Sequence, residues 1–293
     1  MTDFPTQEGF FSARDGMRLF SQVVRPRKEP VAHVALLHGY AEHLGRHVEV
    51  TRALLGAGYA VHLLDVRGHG QSGGKRAHVD RFEEYLSDVE LFLGRVREAA
   101  KDRPLFLVAH SHGALISALY LLGDPEAVRG AVFSSPYFRL KLHVSPLKIL
   151  AGKLVANLIP SLPMRNELKP EQLTRDVAIQ DATRKDPLYQ QIATPRWFTE
   201  SSKAQETVLR RATEFVTPLL LLCGGADSIA DPKAARDFFD HATSKDKQFK
   251  QYDGLLHEIF HEPERDVVFR DLIGWLDERA RGSVQRAATG QRA

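Results

Sequence analysis

Apolar and polar positions along the chain follow two alternating periods. Short apolar, β-rich runs bounded by turn residues predict strands over Val31–Leu37, Tyr59–Leu64, Leu105–Ala109, Gly130–Ser134, Leu219–Cys223 and Gln248–Tyr252. Between them, Phe82, Tyr85, Leu86, Val89, Leu93 and Val96 recur at helical spacing and form an apolar stripe, with Asp80 and Glu83 ahead of it in a capping-box pattern. Shorter helices are predicted over Val48–Leu55, stopped by Gly56 and Gly58, and over Ala114–Leu122, Pro232–Asp240 and Glu264–Ala280. Strands that alternate with helices predict an α/β protein whose mostly parallel sheet is covered on both faces.

The alternation stops between Pro136 and Thr217, where prolines recur and no strand is evident. This stretch reads as a helical insertion. Within it, Leu147, Leu150, Ala151, Leu154, Val155 and Leu158 share one helical face, with Lys141, Lys148 and Lys153 nearby. Such a helix either packs on the domain beneath or forms a lid whose apolar face lines an acyl tunnel or touches a lipid surface. The expected organisation is a core over 1–135 and 218–280, a helical cap over 136–217, and an unstructured basic tail over 281–293.

Composition narrows the class. With 293 residues, 43% hydrophobic and 26% charged, the chain can bury a large core. It lacks the 18 or so consecutive apolar residues of a membrane span. The polar N-terminus shows no signal-peptide pattern, and the single cysteine, Cys223, allows no intrachain disulfide. Both favour a cytoplasmic setting. The formal charge of +3 is matched by Arg281, Arg286 and Arg292 of the tail, which leaves a neutral body and argues against a nucleic-acid partner.

The chemistry concentrates in three strand ends. Leu105 to Gly113 is an apolar strand running into Ala109-His-Ser-His-Gly113, followed by a helix. That is the strand–turn–helix of a nucleophile elbow, with Ala109 where the motif has Gly, and it lifts the Ser111 hydroxyl above a helix N-terminus. A serine hydroxyl attacks only when a histidine takes its proton and an acid orients that histidine. Leu219 to Asp227 is a buried strand opening through Gly224-Gly-Ala into an acid, and Gln248 to His257 is a strand, a Gly turn and a histidine. Ser111, Asp227 and His257 therefore stand in the chain order of an α/β-hydrolase triad. An oxyanion hole needs two backbone N–H groups, here from His112 after the nucleophile and from Tyr40 after the His38-Gly39 strand end.

Two other motifs compete. Gly68-His-Gly-Gln-Ser-Gly73 matches a dinucleotide fingerprint, but no apolar helix follows it, so it reads as a structural loop and no cofactor is expected. His257-Glu-Ile-Phe-His261 is a literal zinc-protease motif. It needs a helix, and Gly254 before it and Pro263 after it leave room for one turn, so no metal is expected. A zinc hydrolase on His257 and His261, and a non-catalytic hydrolase fold retained for binding, stay open as alternatives.

The chain resembles the monoacylglycerol lipase and lysophospholipase family of α/β hydrolases across residues 15–280. The resemblance rests on His38-Gly-Tyr-Ala-Glu-His43 with Arg46, Asp65-Val-Arg-Gly-His-Gly-Gln-Ser72, His110-Ser-His-Gly113, Asp186-Pro-Leu188, Gly224-Gly-Ala-Asp227 with Asp231-Pro232, and His257-Glu258 with Glu262. It implies an eight-stranded sheet with an inserted cap, the triad and oxyanion donors named above, and a lipid ester substrate. It also sets Glu42, His43 and Arg46 near the mouth, where they either shape the loop or meet a polar head group. Transient contact of the cap with a membrane or micelle, and a peripheral location, follow as expectations. The chain departs from the family at Ala109, His112, Ala114 and His47, and short or non-lipid acyl esters are the alternative substrates.

Overall fold

The computed structural model describes residues 4–141, 156, 158–166 and 168–290, the last ten by their backbone. Ten strands are defined among them: β1 Thr6–Ser12, β2 Arg18–Val24, β3 Ala32–Leu37, β4 Tyr59–Leu64, β5 Leu105–His110, β6 Gly130–Ser134, β7 Met164–Arg165, β8 Ile192–Ala193, β9 Leu219–Gly224 and β10 Lys247–Tyr252. The α-helices are α1 Val48–Gly56, α2 Glu83–Ala100, α3 His112–Gly123, α4 Pro170–Leu173, α5 Val177–Lys185, α6 Pro195–Arg210, α7 Pro232–His241 and α8 Arg265–Gly290.

Eight strands form one sheet in the order β1-β2-β4-β3-β5-β6-β9-β10. The β1–β2 and β2–β4 pairs are antiparallel, and every other pair of neighbours is parallel. Side chains of the parallel strands divide by the two-residue period of a pleated strand. Ala35, Leu37, Leu107, Phe133 and Leu221 pack in one core layer with α2, α3, α6 and α7, whereas Val34, Leu36, Phe106, Val108, Leu220 and Leu222 pack in the other with α1 and α8. Continuous apolar runs thus serve two cores at once, as a doubly covered sheet requires.

The chain leaves β3 toward β4 on one side and then returns to β5 on the other. That reversal opens a crevice at the carboxyl ends of β3 and β5. The segments following β3, β5, β9 and β10 carry Tyr40, Ser111, Asp227 and His257, so every candidate residue is delivered to the same edge of the sheet.

Several expectations change. The β1–β2 hairpin has no counterpart in the predicted elements, because β1 is an edge strand exposed along nearly its whole length and carries no apolar alternation. The Asp80–Glu83 capping box does not form. Asp80 instead lies 3.2 Å from His78 Nε2, and the Phe82 N–H that opens α2 donates to Glu200 Oε2 of α6 at 3.3 Å. Residues 281–290 continue α8 as helix where the composition predicts an unstructured tail, since no proline interrupts them.

The insertion holds α4 and α5 as well as the two-residue β7–β8 pair. Its last helix, α6, packs by Trp197, Ala204 and Val208 into the core layer beside α3. Of the predicted apolar face, Leu147, Leu150, Ala151, Leu154 and Val155 lie outside the described residues, as do Lys148 and Lys153, and Leu158 is 81% exposed.

Candidate active site

Ser111 sits between β5 and α3 with φ 50° and ψ −114°, a left-handed backbone held against a cost of about 1–3 kcal/mol. Its N–H donates to Ser134 O at 2.9 Å, and its own carbonyl accepts from Ala114 and Tyr137 N–H groups. The turn also requires Gly113: a Cβ there would stand 2.4 Å from the His38 carbonyl oxygen. Ser111 occupies the N-cap position of α3 without capping it by its side chain. The hydroxyl turns instead to His257, whose Nε2 lies 2.9 Å from Ser111 Oγ.

His257 Nδ1 lies 2.7 Å from Asp227 Oδ2. The other carboxylate oxygen of Asp227 accepts the N–H groups of Ile229 at 2.8 Å and Ala230 at 3.0 Å, and its carbonyl accepts from Lys141 Nζ at 2.5 Å. All three side chains are buried. Burial opposes a charge on His257, but the Asp227 carboxylate outweighs it, aided by Glu258 and Glu42, and holds the imidazole above the usual histidine range. A carboxylate accepts only N–H, so Nδ1 carries the proton and Nε2 is free to receive the one on Ser111.

The candidate oxyanion loop is set by two side chains. Val66 N–H donates to His38 Nε2 at 2.9 Å, so the His38 proton is on Nδ1, which donates to Gly39 O at 2.7 Å. Burial pushes the His38 pKa down to about 4 and keeps this neutral tautomer. With the Gly39 carbonyl fixed, the trans peptide points the Tyr40 N–H to the opposite side. Gly39 N–H donates to Glu42 Oε1 at 2.5 Å. A Cβ on Gly39 would stand 3.0 Å from Ser111 Cβ, so only glycine brings this loop so close to the nucleophile. Among the described residues, neither the Tyr40 nor the His112 N–H donates to a protein acceptor.

The side chains of Tyr40 and His112 are packed against protein. Tyr40 stacks on Trp197 at 4.0 Å between ring centres and donates its hydroxyl to Ile192 O at 2.5 Å. His112 is packed edge-on to Phe82 and Tyr85 with Nε2 3.2 Å from Ser201 Oγ, and burial holds it well below the usual range. Trp197 was not among the residues the motifs single out. Its signal is the Thr194-Pro195 helix start, whose Thr194 Oγ1 accepts the Trp197 N–H at 3.2 Å.

Glu42, His43 and Arg46 lie on this loop, but their polar groups face protein. His43 Nε2 is 2.8 Å from Asp186 Oδ2 of the insertion. Arg46 donates to Thr183 Oγ1 at 2.6 Å and to Glu258 Oε2 at 2.8 Å, and its guanidinium also lies over the Tyr189 ring. Burial works against the Glu42 carboxylate, yet His47 and the Arg46 guanidinium beside it hold it well below the usual carboxylate range.

The zinc motif resolves differently from a metal site. His261 Nε2 meets the Arg46 carbonyl at 2.8 Å and Nδ1 meets Glu258 Oε2 at 2.7 Å. Both acceptors require N–H, so His261 is an imidazolium. Burial opposes that charge and Glu258 overcomes it. His257 meanwhile faces Ser111 and Asp227. Among the described residues, no three His, Cys, Asp or Glu side chains converge to hold a metal ion. The Gly68–Gly73 loop is likewise absorbed by packing: Asp65 accepts the Leu44 and Gln71 N–H groups, and Ser72 Oγ accepts the Phe20 N–H at 2.8 Å.

Known proteins share the sequence pattern and the fold. Residues 28–264 match the hydrolase family described as Serine aminopeptidase, S33. A monoacylglycerol lipase of Mycolicibacterium smegmatis is 31% identical over 94% of this chain and 99% of its own. A phospholipase of Bacillus subtilis is 30% identical over 85% of this chain and 96% of its own. The crystal structure of a Paleococcus ferrophilus monoacylglycerol lipase superposes with a TM-score of 0.78 at 27% identity, covering 94% of this chain and 99% of that one. With a match that spans most of its length and a fold and strand-end chemistry to suit, the chain belongs to the monoacylglycerol lipase family of α/β hydrolases.

Proposed function

We propose that the protein hydrolyses carboxylic esters of lipids, monoacylglycerols or lysophospholipids, through an acyl-enzyme on Ser111. The observation that carries this is the unbroken hydrogen-bonded line from Ser111 Oγ through His257 to Asp227, with spacings of 2.9 and 2.7 Å. Ser111 Oγ attacks the ester carbonyl while His257 Nε2 takes its proton. The charge that develops on the carbonyl oxygen is met by the Tyr40 and His112 N–H groups. His257 then gives its proton to the departing alcohol as the C–O bond breaks. A water repeats the attack on the acyl-enzyme, passes its proton to His257, and frees the fatty acid and the Ser111 hydroxyl.

The lipid substrate is supported by relatives that carry monoacylglycerol lipase and phospholipase names. Surface chemistry adds to it. Leu158, Ile159, Leu162, Met164 and Val177, all in the insertion, are exposed apolar side chains. Their clustering in one part of the chain suits transient seating on a membrane or micelle. No helix among the described residues is long and apolar enough to cross a bilayer, so such contact would be peripheral.

Labelling with a fluorophosphonate, followed by intact-mass and peptide mapping, tests the nucleophile. One adduct on Ser111, absent from Ser111→Ala and unaffected by a chelator, is the expected result. Folded protein without an adduct sinks the reading. A panel of monoacylglycerols, lysophospholipids, short p-nitrophenyl esters and aminoacyl amides then ranks the substrate classes, and highest kcat/KM on an aminoacyl amide would overturn the lipid assignment.

A further inference from the structure

The catalytic histidine of the proposed mechanism lies in the irregular stretch between β10 and α8, which has no ladder of its own. Its local anchors are few. Leu256 N–H, on one side of His257, donates to Glu262 Oε1 at 2.8 Å, and Glu258 N–H, on the other side, donates to Leu173 O at 2.7 Å. Leu173 belongs to the insertion. Glu262 is also tied there, because its Oε2 accepts from Arg175 Nε at 3.0 Å and Arg175 N at 3.3 Å. Two further links join the same segments: Thr174 Oγ1 donates to His261 O at 2.9 Å, and Arg265 donates to Asp176 Oδ2 at 3.1 Å.

Both peptide N–H groups that flank His257 therefore end on acceptors supplied by Leu173 or gripped by Arg175, and Thr174 holds the same loop further on, at the His261 carbonyl. The ring must keep Nε2 toward Ser111 and Nδ1 toward Asp227 at once, and small errors in such placement are expensive. Glu262 is fully buried with both oxygens engaged, which marks it as a strut inside the loop. Its outer partner is the Arg175 guanidinium, 42% exposed.

We propose that Glu262, together with the insertion segment around Thr174 and Arg175, is a positioning element for the His257 base. The inference rests on the serine-hydrolase reading above. On this view the insertion has two tasks: covering the crevice, and holding the general base from behind. These residues do not touch the substrate. They act through the backbone on either side of His257.

The test uses the full chain with Arg175→Ala, Arg175→Lys and Thr174→Val, and with Glu262→Gln as the severe variant. Kinetics on a p-nitrophenyl ester are read across pH, beside the rate of Ser111 phosphonylation. His257 is faced by Asp227, Glu258, Glu42 and His110, none of which is altered in these variants. Arg175→Ala is expected to lower kcat by about tenfold, a fraction of what general acid–base catalysis contributes. KM should change less than twofold, and the apparent pKa of kcat/KM should fall because a looser Asp227 contact supports the imidazolium less. Arg175→Lys should restore part of kcat. Thr174→Val should act in the same direction, so the outcome does not depend on Glu262→Gln folding. Variants that melt earlier but keep wild-type kcat and pH profile would overturn the positioning role alone. A wild-type chain that is not phosphonylated at Ser111 would overturn the hydrolase reading and this inference with it.

Discussion

His38 donates its Nδ1–H to the carbonyl of Gly39 at 2.7 Å, and through that one bond orients the peptide whose far end is the Tyr40 N–H. The imidazole is locked in place because Val66 N–H fills its other nitrogen. Removing the ring frees the peptide to rotate and leaves a buried amide without its acceptor. Losing an oxyanion donor typically costs about 10²–10³ in kcat. His38→Ala should approach the lower end of that range with KM little changed. Wild-type kcat in a folded His38→Ala variant would show that the loop is set by other contacts.

Tyr40 separates a backbone role from a side-chain role. Its hydroxyl donates to Ile192 O and accepts from Asn166 Nδ2 at 3.1 Å, both in the insertion. Tyr40→Phe removes those bonds but leaves the N–H and the stacking on Trp197. The expected result is a stability loss of about 1 kcal/mol, the net worth of a buried hydrogen bond, with kcat within about twofold. Denaturant unfolding and steady-state kinetics on the same sample decide it. A hundredfold drop in kcat would place the hydroxyl in the chemistry.

Asp227 offers a sharper division. Asparagine in its place still presents one oxygen to the Ile229 and Ala230 N–H groups, so the loop survives. The amide nitrogen then faces His257 Nδ1 and forces the proton onto Nε2, the atom that must accept from Ser111. Asp227→Asn should lose on the order of 10⁴ in kcat while its melting temperature stays near wild type. In the wild type, kcat/KM should rise with pH through an apparent pKa above the ordinary histidine value, because His257 must be neutral to act. A flat profile, or an active Asp227→Asn, would move the base or the acid elsewhere.

Much of this site was readable from the sequence because each element is a strand end followed by a turn. The apolar runs before Ser111 and Asp227 announce strands, Gly113 and Gly224 mark places where backbone must approach backbone, and Gly39 marks one where backbone must approach the Ser111 side chain. The structure supplies what spacing cannot: which carboxylate meets which cation. Glu42, His43 and Arg46 are polar side chains suited to a head group, yet Arg46 is spent on Glu258 and Thr183, far apart in sequence. The cap was the least readable part. Its contacts with the His257 loop are made by Leu173, Thr174 and Arg175, and a backbone carbonyl such as that of Leu173 leaves no residue-type signature. The β1 strand escaped for the opposite reason, since an exposed edge needs no apolar alternation.

Buried neutral imidazoles make stability depend on acid. Burial pushes His33 and His38 down to about 4, and His62, His69 and His110 down to about 3. His33 Nδ1 and His62 Nε2 lie 2.9 Å apart, so one ring donates to the other and a second proton between them has no acceptor. In the unfolded chain these groups titrate near 6.5. Between about 6.5 and 4 the unfolded state therefore binds more protons, and stability is lost as pH falls through that window. Each such histidine adds up to about 1.4 kcal/mol per pH unit to the slope. Above about 6.5 the sign reverses for His257 and His261, whose folded values are raised, so their contribution fades as pH climbs through those values. Maximum stability should thus lie close to neutrality. Melting temperatures measured in steps from pH 8 to pH 4.5 check this, with the steepest fall expected below 6.5. His62→Gln should flatten that acid limb, since it removes one titrating ring and the crowding at His33. A melting temperature that holds constant from pH 7 to pH 5 would mean that these imidazoles reach water on the acid side and keep ordinary values.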